Sequence, residues 1–596
     1  MDDEAASLGP LRDNFSFKKR PDGTFEKTTV VCKLCKKEFA YHRSYSSLKY
    51  HLNAKHVAAS TAVPTANFSV PSSGTNKRSS QPTLDQMTGF RAKISKSTSE
   101  KLSNSLAKWI ATDCRPLSVV EDRGLQSVLQ IATSDPAYEL PCRKTMASKI
   151  RQLYDDEKQS KQDILNAVDC VALTGDHWTS VSNSNYLGVT AHTVCVVNKV
   201  WQLASFVLTV EKVNNRHYAV NCADHFFSVA ESWKIEQKVT TIGTDCARNM
   251  MAAARRLPFQ HMPCVAHILQ RSITVCLDSC GFNDVLAKCR KIVGHFRHSP
   301  ANTMELYKEQ RALDQENEPL IQDVSTRWNS TLFMIRRLLK NKEAVKATLD
   351  KQRHKLVLLS AAEWTKLEKL AAILEPCRHV TDLLGGETYV SCSAVLPVLR
   401  FLDHTMKVSD EDSTYIVKFK TAFMKDLSER KAALNYDWLK MATVLDPRFK
   451  DLKCLPREER EAVWKKLEEL LQDGSIKATS EPTDEPPKKK GLLCFSSDSD
   501  SDSDSDDVGS NALSLYKAEQ KISETDCPLQ WWSAHAGAHP QLSTLARKYL
   551  ASPATSVPCE RVFSLAGNII QKKRAALSSE NVNRLVCLSN WLKEKK

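Results

Sequence analysis

The chain has 596 residues, 42% of them hydrophobic, and a formal net charge of +14. That length exceeds one compact core and predicts three or four domains. No run of 18 apolar residues occurs, so no membrane span is expected. The acidic opening MDDEAASLGP lacks an apolar signal core, so secretion is not expected, and the 19 cysteines read as reduced thiols, mostly core filling. The positive balance suits a polyanionic partner, although a generic basic surface accounts for it equally well.

Residues 14–60 form one basic block, with ten Lys/Arg against three Asp/Glu. Inside it lies Cys32-x2-Cys35-x15-His51-x4-His56. Two cysteines on a tight knuckle and two histidines on a following helix can meet tetrahedrally around Zn²⁺. Phe39, Leu48 and Leu52 supply a small apolar core. A module this small folds only with its metal, so binding and folding are coupled. Arg43, Ser46, Ser47 and Lys49 flank the start of the helix, an arrangement suited to reading base edges in the major groove of double-stranded DNA. Lys33, Lys36, Lys37 and Lys55 would meet phosphates. A solvated basic face is the plainer account of the same side chains. Lys18-Lys19-Arg20 and Lys488-Lys489-Lys490 are candidate nuclear import signals, or simply solvated clusters.

Residues 61–98 are rich in Ser, Thr, Ala and Pro and read as a disordered linker. Residues 99–165 regain helical patterning, divided by Pro116, Pro136 and Pro141 into a few short helices. Three β-rich stretches follow, at Val168–Leu173, Tyr186–Val197 and Val200–Val210, with breaks at Gly175, Asn183 and Asn198. A helix from about His217 to Trp233 and a fourth strand, Val239–Gly243, complete the opening of an RNase H-like α/β sheet. Residues 250–475 are mostly helical, with Leu, Ala, Lys and Glu at helix spacing. Residues 476–510 carry a strict Ser-Asp alternation over Ser497–Asp506 that cannot bury apolar area, and predict disorder. This run is a solvated acidic linker or an acceptor for acidophilic phosphorylation. Residues 511–596 return to helix, ending in an amphipathic run to Trp591.

Asp176 is read at the end of the first strand and Asp245 at the end of the fourth. In an RNase H-like sheet those ends are adjacent, and two carboxylates there can share two divalent metals that activate water or a 3′-hydroxyl. Glu560, just after Pro558, opens a later helix and is the candidate third carboxylate. Each also has a bland explanation: Asp after a strand is often a turn residue, and Glu in a first helical turn suits the dipole.

The lead-in Phe15-x-Phe17, the cysteine pair, Ser47-Leu48-x-x-His51-Leu52 and His56 resemble a BED-type zinc finger, a family that usually has Trp in the lead-in. The words TGDHWTS, TDCARNM, PCVAHILQ, STRWNS and CERVFSLAG resemble, in order, the motifs of hAT-family transposases. With the finger, this resemblance covers nearly the whole chain. It implies a multidomain α+β protein with a BED-type zinc finger (14–60) and a helical intermediate domain (99–165). An RNase H-like core begins at 166–264, is interrupted by a large all-helical insertion (265–475), and closes within a helical C-terminal dimerisation region (511–596). By motif, Asp176, Asp245 and Glu560 match the metal-binding carboxylates, with Mg²⁺ or Mn²⁺ as the implied ions. Cys264 and His267 match the family's Cys-x-x-His pair, and Trp328 the aromatic that supports the unpaired DNA end; helix packing and a core tryptophan are the alternatives. Tyr549–Leu592 looks like the dimerisation region, with Leu565, Ile569, Leu585 and Leu588 in an apolar interface, packed within the chain, or both. The implied partners are double-stranded DNA and a second copy of the chain, or a higher homo-oligomer, in the nucleus.

Two functions follow. One is a transposase-derived DNA-binding protein that regulates transcription; the other is an active cut-and-paste transposase. A SUMO-ligase or scaffold role is a third, which no RING-type spacing supports. Whether the chain is an enzyme is open between them.

Overall fold

The computed structural model describes residues 14–21, 23–40, 46–56, 93–180, 183–214, 216–324, 327–473, 508–570 and 577–593. The Ser-Asp run, Lys488–Lys490, Arg43 and most of the 61–98 linker lie outside the described residues. The chain forms two compact units, Met1–Phe90 and Arg91–Lys596.

In the first unit, β1 (Phe15–Lys19), β2 (Phe25–Cys32) and β3 (Glu38–Ala40) make an antiparallel sheet in that order, followed by helix Ser46–Lys55. Alternation along β1 turns Phe15 and Phe17 inward, where they join Val30, Cys32, Leu48 and Leu52, with Phe39 packed alongside. The two phenylalanines of the aromatic lead-in are therefore core residues. Lys18 is tied across the sheet to Glu38 (Nζ–Oε2 2.7 Å).

The second unit is built on a five-stranded sheet of order β6-β5-β4-β7-β8. Strands β4 (Val171–Thr179), β5 (Asn185–Val197) and β6 (Val200–Val213) form an antiparallel meander, and β7 (Val239–Thr244) and β8 (Gln260–Pro263) run parallel beyond β4. This bears out the RNase H-like reading, with two corrections. The first strand does not stop before Gly175. An added Cβ there would lie 2.1 Å from Phe226 Cε1, so this glycine admits a ring of helix Ala219–Ser232 against mid-strand and is not a break. Asp176 therefore lies within the strand. The second correction is β8, which is only four residues long, ends in proline and was missed.

Helices Lys96–Thr112, Arg123–Thr133 and Arg143–Asn166 precede the sheet. The first begins inside the stretch expected to be linker, capped by Ser95, whose hydroxyl accepts from the Thr98 amide. Helix Val508–Ala518 likewise takes in the last three residues of the segment expected to be disordered to 510. Helices from Val265–Ser279 to Arg457–Asp473 form the insertion, and their apolar faces share one large core with Trp532, Leu542 and Leu550 of the C-terminal part. Asp446 is fully buried there. It accepts from Arg448 Nη2 (2.7 Å) and Ser393 Oγ (2.6 Å), beside carbonyls that bind Trp532 and Tyr516.

The C-terminal helix Ser579–Lys593 packs along β6, the edge of the sheet. Asn583 Oδ1 accepts from the Val210 amide (2.8 Å) and Asn590 Oδ1 from that of Val207 (3.0 Å), while Trp591 Nε1 donates to the Val207 carbonyl (2.8 Å). Side chains thus replace a neighbouring strand. Ile569, Leu585 and Leu588 are buried in the same core as the sheet, and Leu565 packs against it. Packing of these four residues within the chain is borne out, since the sheet covers their apolar stripe.

Candidate functional site

The finger's donors converge. Cys32 and Cys35 sit on a knuckle closed by the Lys36 amide on the Cys32 carbonyl (2.8 Å) and the Cys32 amide on that of Lys37 (2.9 Å). Lys36 takes φ 60° at this turn. His51 and His56 come from the helix and its end. Cys35 Sγ lies 3.2 Å from His51 Nε2 and Cys32 Sγ 3.8 Å from His56 Nε2, and all four ligand atoms lie within 4.8 Å of one another. Zn–S bonds of about 2.3 Å and Zn–N bonds of about 2.0 Å give tetrahedral edges of roughly 3.5 Å, which these separations match. Burial, then His56, holds the His51 pKa below its usual value, which keeps the neutral, ligating form available. Its ring packs against Phe39, centroids 4.7 Å apart. Ser46, Ser47 and Lys49 lie in the first turn of the helix. Lys36, Lys37 and Lys55 are exposed, as is Tyr50, which the sequence reading did not single out.

In the second unit, register does for Asp176 and Asp245 what the knuckle does for the cysteines. Thr174 of β4 pairs in parallel with Gly243 of β7, the last pair before the strands part. Asp176 and Asp245 each lie two residues further on, Asp176 still within β4 opposite Gly188 of β5 and Asp245 just past the end of β7, so the register sets them side by side on one face. Glu560 sits in the first turn of helix Val557–Ile569, which packs on β4 and β5. Cys264 caps this arrangement from below: its Sγ accepts from the Ser556 amide (3.2 Å), and its own amide donates to the Thr244 carbonyl (2.9 Å). His267, one turn into helix Val265–Ser279, reaches Glu560 (Nε2–Oε1 3.6 Å) and meets Trp328 edge to face, centroids 5.4 Å apart. Trp328 is half-buried beside this group and not in a core. Asn329, at φ 59°, anchors its turn through Thr381 (Nδ2–Oγ1 2.9 Å). The structure thus gathers Asp176, Asp245, Glu560, His267 and Trp328 from five places in the sequence.

The electrostatics are those of crowded carboxylates. Burial, with repulsion from Asp245, raises Asp176 to about 7 against the pull of the His177 amide on its Oδ1 (2.7 Å). Burial raises Glu560 to about 8, eased by His267 and reinforced by Cys264, Asp176 and Asp245. Glu560 Oε1 is buried without a hydrogen-bond partner in the protein. An all-oxygen set of this kind fits hard cations such as Mg²⁺ or Mn²⁺. Among the described residues only the finger's donors close to within 4.8 Å of one another; a two-metal site spreads its ligands around ions about 3.5–4 Å apart and does not require that closure.

The sequence has recognisable relatives. Residues 18–57 match the BED zinc finger, 174–270 the ZBED1 RNase-like domain, 262–373 the ZBED1 RNase-like helical domain, and 512–592 the hAT family C-terminal dimerisation region. A Zea mays protein that bears the name AC transposase is 25% identical over 77% of this chain. A Talaromyces stipitatus protein named as transcriptional regulator tpeD is 24% identical over 82%, and human Zinc finger BED domain-containing protein 4 is 23% identical over 82%. The chain spans 61%, 62% and 43% of the lengths of these three relatives.

Proposed function

Because the chain belongs to the BED zinc-finger proteins of the hAT transposase family, we propose that it is a zinc-dependent, dimerising DNA-binding protein of the nucleus that regulates transcription. The observation that carries this reading is the closed Cys32, Cys35, His51, His56 cluster on a basic finger. The finger supplies a targeting head, whose exposed Lys36, Lys37 and Lys55 suit phosphates, while the expectation that Ser46, Ser47, Lys49 and Arg43 read base edges rests on the sequence alone. Two heads in a dimer raise apparent affinity through effective concentration. Leu565, Ile569, Leu585 and Leu588 pack on the sheet, so a dimer contact would use other faces of the C-terminal region. Binding-site selection with the full chain should return a defined sequence. Cys35→Ser should abolish that selection, and unchanged selection would refute the finger's role.

The convergence of Asp176, Asp245 and Glu560 favours a second reading, an active transposase. Two divalent ions held by these carboxylates would supply an activated water or 3′-hydroxyl and stabilise the leaving oxygen. The protein's own part is positional: β4 and β7 present two carboxylates in register, and Cys264 fixes the helix that carries the third. Trp328 offers an indole face to an unpaired base. Cleavage of a candidate transposon end with Mn²⁺, lost in Asp176→Asn, would replace the purely regulatory reading. No cleavage under any divalent ion would leave regulation standing.

A further inference from the structure

The helix that carries Glu560 rests on β5 at one point. Gly188 is the cross-strand partner of Asp176 and therefore shares its face of the sheet. Cys559, the residue before Glu560, has its Sγ 3.2 Å from the Gly188 carbonyl oxygen and donates to it. A Cβ built on Gly188 would lie 2.7 Å from Phe563 Cε1 and 3.0 Å from Cys559 Sγ. Neither neighbour is free to yield. The Phe563 ring stacks on Trp178, two residues beyond Asp176 (centroids 5.9 Å, 17° between planes), and Cys559 is completely buried. Helix and strand are thus in near-backbone contact beside the acidic group. The missing side chain at Gly188 sets how close Glu560 comes to Asp176.

We propose that Gly188 is a positioning residue for the acidic centre: its lack of a side chain, with the Cys559 thiol and the Phe563–Trp178 stack, fixes the Glu560 helix at the distance at which the three carboxylates hold divalent ions together. This rests on the metal-site reading given above. A methyl group at 188 does not fit between β5 and the helix, so the helix must lift. Lifting withdraws Glu560 while Asp176, within β4, and Asp245, just past β7, keep their places. Metal sites tolerate ligand displacements of only about 0.2 Å, and disturbed supporting contacts typically cost about 10- to 100-fold in metal affinity.

The test is Mn²⁺ binding to the zinc-loaded full chain, read by electron paramagnetic resonance, with folding checked by thermal melting. Wild type should bind Mn²⁺ and Asp176→Asn should not. Gly188→Ala should bind about 10-fold or more weakly, and Gly188→Ala/Phe563→Leu, which removes the colliding ring edge, should recover most of the loss. Recovery separates positioning from general destabilisation, because Phe563→Leu alone costs packing and should lower the melting temperature. If Gly188→Ala fails to fold, Cys559→Ala removes the tether without adding bulk and should weaken binding by itself. Wild-type affinity in Gly188→Ala, or in Cys559→Ala where that variant is used instead, overturns the role of Gly188 while leaving the metal site intact. Wild type binding no better than Asp176→Asn overturns the metal site itself, and the inference with it.

Discussion

The two units build their candidate centres in opposite ways. The finger draws four donors from 25 consecutive positions, and its core is six buried side chains around them. The acidic centre draws its carboxylates from positions as far apart as Asp176 and Glu560, and a sheet and two cores hold it in place. In the first the metal makes the fold; in the second the fold makes the site, at a cost visible in two carboxylates held far above their usual range. A local site needs its ligand to exist, whereas a non-local site has its geometry prepaid by burial elsewhere.

The sharpest way to break this contrast is metal removal. Chelation should unfold residues 14–56 outright, since structural zinc is worth about 10–16 kcal/mol to such modules. It should leave the melting of the second unit unmoved, as read by limited proteolysis and calorimetry on one sample. A body that melts early on chelation would show that its stability also depends on zinc. Next in size is Asp446→Ala, which strands the Arg448 guanidinium in the helical core. A loss of about 3–5 kcal/mol in the body is expected, with finger-dependent DNA binding retained.

Protons should also separate the two. His192 is buried in the body and His261 partly buried, and burial lowers them to about 3 and about 4. They stay neutral when folded but charge in the unfolded chain below about pH 6.5. The unfolded state therefore binds the extra protons, and body stability should fall as pH drops from about 6.5 toward 4. His192→Gln should flatten that slope in melts run across the range. The smallest effect runs the other way. Asp176 and Glu560 bind protons in the fold that they release when unfolded, so their ionisation disfavours the folded state as pH rises from about 4 toward 8. Asp176→Asn should therefore raise the metal-free melting temperature at pH 8 by about 2–4 °C, and Mn²⁺ should no longer raise it further. A lower melting temperature would mean that this carboxylate serves packing.

Much of this was legible beforehand because short-range chemistry writes itself into spacing. The Cys-x2-Cys and His-x4-His pairs and the β-rich runs around Tyr186 and Val200 are all local. Gly175 misled because an isolated glycine in a strand signals either a break or a close approach, and only Phe226 decides between them. The same signal stood at Gly188. Strand β8 escaped because four residues ending in proline carry too little pattern.

The sequence by itself determined the finger's four ligands and, β8 and the end of β4 apart, the order of strands and helices around the larger sheet, because these depend on contacts between near neighbours. Only the tertiary structure decided that Asp176 lies inside a strand. It alone set Cys264 under the Glu560 helix, turned Leu585 and Leu588 onto the sheet, and gave Gly188 no room for a methyl group. Those outcomes are settled by packing between segments hundreds of residues apart, where a few tenths of an ångström decide and no local periodicity reports them.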